Sequence, residues 1–337
     1  MFEILPAFPG QDAPIVFESS SYFVPYLAVA LQTIIDSSSP ENNYDIIVLG
    51  DGVKPLDRER LLKQVEDLKN FSLRFYEPQG LVDPYYQKAK YQYLKINYYR
   101  LALPWILKCY KTAVNLGADI IVMKDIAELT KFQFEPERYL AGATDLGYIG
   151  RLNEDIPHSE LALRHPNRYI NADVLIYNLK GIRENYKIDD IMSLWQRYHF
   201  RCSEQDALNK IFDEHKQLIS LRWNTFPDRM TSTADIMCTT PMHIKLWKKT
   251  LKDPYLVHFA AVPKPWSYPI IGFSDIWWKA ARRTIFYEEI LRRMSIPPKR
   301  KRMIFLERIM NALFPKGTKR RAFFKRYILN VHWGMTP

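Results

Sequence analysis

Between residues 14 and 129 short β-branched apolar runs alternate with longer stretches of helical periodicity, and this alternation restricts the fold more than any other feature of the chain. Residues 14–18, 44–49 and 71–76 read as strands, and residues 22–35 and 56–68 as the helices between them. Strands joined through helices are the pattern of parallel βαβ units, because a parallel neighbour is reached only by a crossover of a dozen or more residues. A long helical segment over 91–107, tolerating Pro104 near its end, then delivers the chain to TAVNLGADIIVMKDIAEL at 112–129. Val114, Ile120, Ile121 and Val122 around Asp119 suit a buried strand better than an amphipathic helix. Asp119 is then expected at or near a strand end. In open α/β sheets ligands lie at the carboxyl ends of the strands, where a carboxylate can hold a divalent cation against a diphosphate. A helix-capping role fits Asp125 better, since Asp125 and Glu128 have capping-box spacing.

After residue 129 the rhythm is less regular. Residues 139–144, 174–177 and 255–259 read as strands, and 189–198 and 205–212 as helices. Such a second half suits a mixed sheet that builds an acceptor side onto a nucleotide-binding front. With 47% apolar residues in 337, the chain can bury a full core and is not a disordered protein. Cys109, Cys202 and Cys238 are odd in number and lack metal-ligand spacing, which argues for a reducing compartment and against a structural zinc site. The start, MFEILPAFPGQDAP, lacks the basic residues and long apolar run of a signal peptide, and no later stretch has the roughly 18 apolar residues of a spanning helix. The expected location is cytoplasmic.

The net charge of +11 is concentrated at one end. Residues 291–337 hold 13 Lys and Arg against one acid, Glu307, and leave the preceding 290 residues nearly neutral. Phe305, Leu306, Ile309, Met310, Leu313 and Phe314 recur at helical spacing, followed by a basic cluster over 316–326 interleaved with Phe323 and Phe324. A greasy face in cationic surroundings predicts contact of residues 299–337 with an anionic membrane surface. Nucleic acid also suits a basic, aromatic segment but ranks lower, and none is expected as a partner.

HFAAVPKPW, from His258 to Trp266, holds a histidine, a lysine and a tryptophan close together with two prolines. An imidazole can bind a cation of the Mn²⁺ type, and a lysine can neutralise a diphosphate as a point charge. Singly, His258 reads as a core histidine and Trp266 as packing; together they point to a site.

Over roughly residues 14–280 the sequence resembles glycosyltransferase family 8, the retaining enzymes that use a UDP-sugar and Mn²⁺, including bacterial lipopolysaccharide galactosyl- and glucosyltransferases. The resemblance rests on six segments in the family's order: IVFESSSYFVPYLAVALQTII, KINYYRLALPWIL, NLGADIIVMKDIAEL, YINADVLIYNL, SEQDALN and HFAAVPKPW. It implies an α/β fold of the GT-A type, with a Rossmann-like nucleotide-binding region and a mixed central sheet. The organisation expected is an N-terminal extension over 1–13, a GT-A domain over 14–290 and a basic amphipathic tail over 291–337. By the same resemblance, Asp119 and His258 are metal ligands for Mn²⁺ or Mg²⁺, and Lys264 meets the diphosphate. Arg100, Asn171, Ala172 and Tyr22 fall on donor-binding positions. Asp145, Glu204 and Gln205 fall on catalytic ones, with Gln205 beneath the anomeric carbon. The implied reaction is retaining transfer of glucose or galactose from a UDP-sugar to a saccharide of a lipid-linked or cell-surface glycan such as lipopolysaccharide or capsule, at the inner face of the membrane.

Four departures fall in the donor pocket. Ser19-Ser20-Ser21-Tyr22 stands where the family has an Asp-Asp-Asn-Tyr type sequence; the metal motif Asp-x-Asp is Gly117-Ala118-Asp119; Asn-Ala/Ser-Gly is Asn171-Ala172-Asp173; and a glycine is replaced by Ala261. Gly117 removes an anionic oxygen from the cation, Asp173 adds a negative charge near a negative ligand, and Ala261 adds a methyl where backbone approaches phosphate. Cation binding is therefore expected to weaken. The alternative to an active transferase is a catalytically inactive homologue that scaffolds or regulates one. On this reading, returning the carboxylate by Gly117→Asp raises activity if the site is merely damaged.

Overall fold

A computed structural model describes residues 3–294 apart from 79, 89–92, 153–160, 199, 228–238 and 262, and beyond them residue 313. Nearly all of the basic tail expected over 299–337 therefore lies outside the described residues.

The first half alternates as its pattern requires. β1 (Ile15–Ser20), α1 (Val24–Ser37), β2 (Tyr44–Asp51), α2 (Pro55–Leu62) and β3 (Phe71–Tyr76) follow in order, then α3 (Asp83–Gln87) and α4 (Lys95–Ile106). Pro25 and Pro55 stand in the first turns of α1 and α2, where a missing N–H costs nothing. Pro104 lies inside α4, whose carboxyl end is held by Arg183: the guanidinium donates to the carbonyls of Pro104 and Tyr110, both at 2.9 Å. The helix expected over 91–107 is thus shorter, and the one over 56–68 stops at Leu62.

The expected strand around Asp119 is two. β4 (Ala113–Leu116) belongs to the central sheet, and β5 (Ile120–Val122) pairs antiparallel with β9 (Leu256–His258) in a separate two-stranded ribbon. Both are apolar and buried, so the linear pattern could not show the break; Gly117, Ala118 and Asp119 form the turn between sheets. α5 (Ala127–Thr130), β6 (Leu140–Thr144), α6 (Leu146–Leu152), β7 (Ile170–Tyr177), α7 (Leu179–Asn185), α8 (Ile188–Arg197), α9 (Ser203–Ile211) and β8 (Lys216–Leu218) come next. α10 (Pro241–Thr250) precedes β9, and α11 (Ser274–Ala281) and α12 (Tyr287–Arg293) follow it. Asp125 does cap locally, its Oδ1 accepting the Ala127 N–H at 2.9 Å, but Glu128 pairs with Lys124 instead of closing a capping box.

The seven-stranded sheet runs β3-β2-β1-β4-β7-β6-β8. β1 to β4 are parallel, while β7 is antiparallel to both β4 and β6. Alternation along the central strands fills two cores, one per face. Ile15, Phe17, Ile46 and Val48 join the core with α1 and α11, whereas Val16, Ile47 and Leu49 join the one with α4, α8 and α9. The chain winds outward from β1 through β2 to β3, then returns to the other side of β1 as β4. That reversal opens a crevice at the carboxyl ends of β1 and β4, the topological switch point where ligands of open α/β sheets bind.

Candidate active site

Side chains from six segments converge on this crevice. β1 carries Glu18 near its end, β4 carries Asn115, the turn after β4 carries Asp119, α4 carries Arg100, β7 carries Asn171 and Asp173, and β9 ends with His258. Lys264 follows in the loop after β9.

The centre is a cluster of Asp119, Asp173 and His258, whose ligand atoms all lie within 4.8 Å of one another. His258 is 1% exposed. Its Nε2 faces Asp173 Oδ2 at 3.2 Å and Asp119 Oδ1 at 3.6 Å, yet has no hydrogen-bond partner. Its Nδ1 lies 2.9 Å from Asn224 Oδ1. The orientation of the Asn224 amide is fixed by the next link, because its Nδ2 donates to Asn171 Oδ1 at 2.9 Å. Asn171 Nδ2 in turn donates to Asp145 Oδ2 at 3.0 Å. A carboxylate only accepts, so the direction of every bond in Asp145–Asn171–Asn224–His258 follows from its first member. Nδ1 of His258 must carry a proton and donate, and Nε2 is the nitrogen that points at the carboxylates. Metal-binding histidines are oriented in this way by a partner on the far nitrogen.

Burial acts against charge on each member of the cluster, but the neighbours prevail. The Asp119 and Asp173 carboxylates lift His258 to about 9. Lys264 and His258 hold Asp119 well below the usual carboxylate range, and His258 and Arg100 lower Asp173. Two carboxylates around one buried nitrogen demand positive charge at their common point. A divalent cation meets that demand, and carboxylate and imidazole groups are ligands for one. The orphaned Nε2 shows that the residues fit such an ion. Lys264 contacts Asp119 and donates to the Phe259 carbonyl at 2.7 Å, which places its ammonium beside the cluster.

Arg100 is buried among three carboxylates: Glu204 Oε1 at 2.9 Å, Glu18 Oε2 at 3.2 Å and Asp173 Oδ1 at 3.4 Å. Although burial opposes its charge, these neighbours hold the guanidinium well above its ordinary value. Burial dominates at Glu18 and pushes it up to about 7, against the pull of Arg100 and of Asn115, which donates to it at 2.7 Å. Gln205 is held by all of its polar atoms. Its Oε1 accepts the Ala172 N–H at 2.9 Å, and its Nε2 donates to Asp145 Oδ2 and to the Tyr169 hydroxyl, each at 3.1 Å.

Of the residues singled out in the sequence, the structure therefore brings together Asp119, His258, Lys264, Arg100, Glu204, Asn171, Asp145, Gln205 and the backbone of Ala172. Tyr22 stays apart. It is 60% exposed and packs edge-on against Phe23 and Tyr26. Trp266 is packing, stacked on Tyr26 with ring centroids 3.9 Å apart. Sequence reasoning missed Glu18, Asn115 and Asn224, and it read Asp173 only as an unwelcome charge. For Asp173 a signal existed: in a strand, residues two apart share a face, so Asp173 faces the same way as Asn171. Asn224 lies in a short 3₁₀ turn, Leu221–Asn224, with no periodicity to reveal it.

Known proteins share this arrangement of elements. Residues 14–269 match the model of Glycosyl transferase family 8. The chain is 22% identical over 249 residues to general stress protein A of Bacillus subtilis (strain 168), covering 70% of this chain and 80% of that protein. It is 24% identical over 221 residues to a putative glycosyltransferase of Haemophilus influenzae, covering 65% and 64%. Among solved structures, the apo form of the WbbM bifunctional glycosyltransferase superposes with a TM-score of 0.77 at 21% identity, over 87% of this chain but only 53% of its own. The galactosyltransferase LgtC, solved with donor and acceptor sugar analogs, superposes with a TM-score of 0.63 at 18% identity, over 86% and 99%. The structural likenesses establish the GT-A type fold, and the family match over three quarters of the sequence establishes that this chain belongs to glycosyltransferase family 8.

Proposed function

We propose that the protein transfers a hexose from UDP-glucose or UDP-galactose, with retention at the anomeric carbon, to a saccharide of a lipid-linked or cell-surface glycan. The observation that carries this reading is the orphaned Nε2 of His258, aimed between Asp119 and Asp173 with Lys264 alongside. A bound Mn²⁺ or Mg²⁺ supplies Lewis acidity to the departing diphosphate. Asp119 and His258 would hold such an ion, and the Lys264 ammonium would neutralise a further phosphate charge.

The remaining roles follow from what each group can still donate or accept. Arg100 is anchored by Glu18 and Glu204, so it presents a fixed positive charge to the donor. Asp145 and Asn171 hold the histidine tautomer through Asn224. Gln205 is locked by Ala172, Asp145 and Tyr169, and such a side chain can shield an oxocarbenium-like centre without moving. It is no strong nucleophile, which agrees with attack of the acceptor on the face the leaving group vacates.

Calorimetric titration of UDP with and without Mn²⁺ tests the donor site, and release of UDP from UDP-glucose and UDP-galactose tests turnover. Cation-dependent binding with sugar-specific release is expected; absence of UDP binding in both conditions overturns the reading. The acceptor class rests on the basic, aromatic residues 299–337, proposed to hold the enzyme on the anionic inner face of the membrane. Deleting them is expected to leave folding intact and abolish sedimentation with anionic vesicles. No helix among the described residues is long and apolar enough to cross a membrane.

A further inference from the structure

We infer that Asp173 supplies the carboxylate that the Gly117-Ala118-Asp119 turn lacks, so that positions 117 and 173 form an exclusive pair, only one of which can carry the second acidic ligand. The inference rests on the cation-assisted reading of the site.

Geometry carries it. β4 and β7 are antiparallel with Leu116 opposite Val174, so the next pair along the ladder is Gly117 opposite Asp173. The Gly117 N–H donates to the Asp173 carbonyl at 2.9 Å, which extends the pairing by that residue. Directly opposed residues point to the same face, so a carboxylate carried by either strand reaches the same space. Here that space is taken. A Cβ built on Gly117 would lie 2.7 Å from Asp173 Oδ1, 3.0 Å from Asp173 Cβ and 3.0 Å from Asp119 Oδ1. Ordinary cross-strand Cβ atoms stay about 4.5 Å apart or more.

Gly117 is not among the glycines with positive φ, so its backbone does not require glycine. What requires glycine is the side chain across the ladder. The Asp173 carboxylate is also turned into the cluster: Oδ2 lies 3.2 Å from His258 Nε2, and Oδ1 is braced by Arg100 at 3.4 Å. The buried Nε2 without a hydrogen-bond partner is an independent sign that the carboxylates surround a ligand position. Two departures from the family pattern, each of which weakens the site when taken alone, thus compensate one another. On this inference Asp173 does more than repel the donor, and Gly117→Asp alone is not expected to raise activity.

The test is an exchange of the two residues in the full chain, read by Mn²⁺ binding with calorimetry and with electron paramagnetic resonance of free Mn²⁺, with and without UDP. Asp173→Gly is expected to lower Mn²⁺ affinity at least tenfold. Gly117→Asp alone is expected to lower it as well, or to lower the unfolding temperature, because the new side chain meets Asp173. The double variant, Gly117→Asp with Asp173→Gly, is expected to return to within about threefold of the wild type and to recover any lost thermal stability. Wild-type affinity in Asp173→Gly, no recovery in a folded double variant, or no Mn²⁺ binding by the wild type would each overturn the inference. Since no sugar enters these measurements, they separate from the transferase reading. A successful exchange in a protein that never releases UDP from a UDP-sugar would sink the transferase alone.

Discussion

Two buried charged clusters sit at opposite ends of the same parallel strands, and they are built differently. At the amino end of β2, Asp45 is fully buried, and both of its oxygens are taken. Oδ1 accepts from Arg74 at 2.6 Å, and Oδ2 accepts from Tyr110 at 2.6 Å and from the Ala7 N–H at 3.0 Å. Arg74 and Tyr110 also meet the Leu5 carbonyl, so the cluster ties the first residues to the sheet. At the carboxyl end, Glu18, Glu204, Asp173 and Asp119 surround Arg100, His258 and Lys264, and one buried nitrogen is left with its capacity unused. The two ends differ in what their carboxylates meet: Asp45 is enclosed by three donors of its own chain, whereas Asp119 and Asp173 converge with His258 Nε2 on a common point.

Exchanging a residue at each end should separate the two purposes most strongly. Asp119→Asn is expected to lower cation affinity at least tenfold and transfer about 100- to 1000-fold, because the cation's contribution is worth several kcal/mol. Asp45→Ala is expected to cost about 3 kcal/mol in urea unfolding by stranding Arg74, the Tyr110 hydroxyl and the Ala7 N–H, while cation affinity stays unchanged. Equal loss of cation affinity in both variants would show that the ends are not separable.

Glu18 sharpens the contrast through pH. Its carboxyl is raised from 4.5 to about 7 by burial, so the folded protein binds this proton more tightly than the unfolded chain. Its contribution to stability is therefore fully present below about pH 4.5 and is lost as pH rises through about 7, amounting to about 3 kcal/mol at most. Glu18→Gln should remove that slope. Urea unfolding of wild type and variant at pH 5 and pH 8.5 reads it, and a stability difference that does not change with pH would contradict the assignment.

How much of this was legible in the sequence depended on the range of each signal. β1, β2, β3 and α1 were found within a few residues because alternation and helical periodicity are local. The break between β4 and β5 was hidden, since both pieces are buried and apolar and differ only in which sheet receives them. At the site, Asp119, His258, Lys264 and Gln205 were indicated by segments of the family pattern, and the structure brings them together. Asn224 and Glu18 were not, because each matters only for what lies across space from it. Asp173 was visible only as a charge: the role inferred for it depends on Gly117, a cross-strand neighbour 56 positions away in the sequence. Composition and spacing report which residues are present, while compensation is a property of pairs.

Asn224 gives a smaller effect of the same kind. It touches the cluster only through His258 Nδ1, so its loss should free the imidazole to change tautomer without removing a ligand. Asn224→Ala is expected to lower Mn²⁺ affinity 10- to 100-fold, the usual range for a residue that orients a metal ligand. Asn224→Asp keeps an acceptor toward Nδ1 but loses the donor to Asn171 Oδ1, so it should recover part of the affinity. A purely structural residue would show no such recovery, and equal affinities in the two variants would rule out an orienting role.

The smallest effect concerns where strain is stored. Five described non-glycine residues have positive φ: Glu137, Ala162, Ser203, Ala261 and Phe273. Ser203 precedes Glu204 and accepts from Asn97 at 2.6 Å, and Ala261, with φ of 58°, lies on the strap between His258 and Lys264. Glu137, just ahead of the amino end of β6, lies at the opposite end of the sheet, so only Ser203 and Ala261 bear on the site. Strain of this sort persists where surrounding contacts over-determine the backbone, and here it borders the cluster with the unfilled valence. An L-residue in the left-handed region costs about 1–2 kcal/mol, and glycine relieves this while loosening the unfolded chain. Ala261→Gly is therefore expected to stabilise the fold by about 1 kcal/mol, seen as a rise of roughly 2 °C in the thermal midpoint. The same change frees the strap that sets Lys264 against Asp119, so UDP affinity should fall slightly even as the midpoint rises. Opposite signs in the two measurements would show that this end of the molecule holds strain for the sake of its ligand; a midpoint that does not move would show that Ala261 bears none.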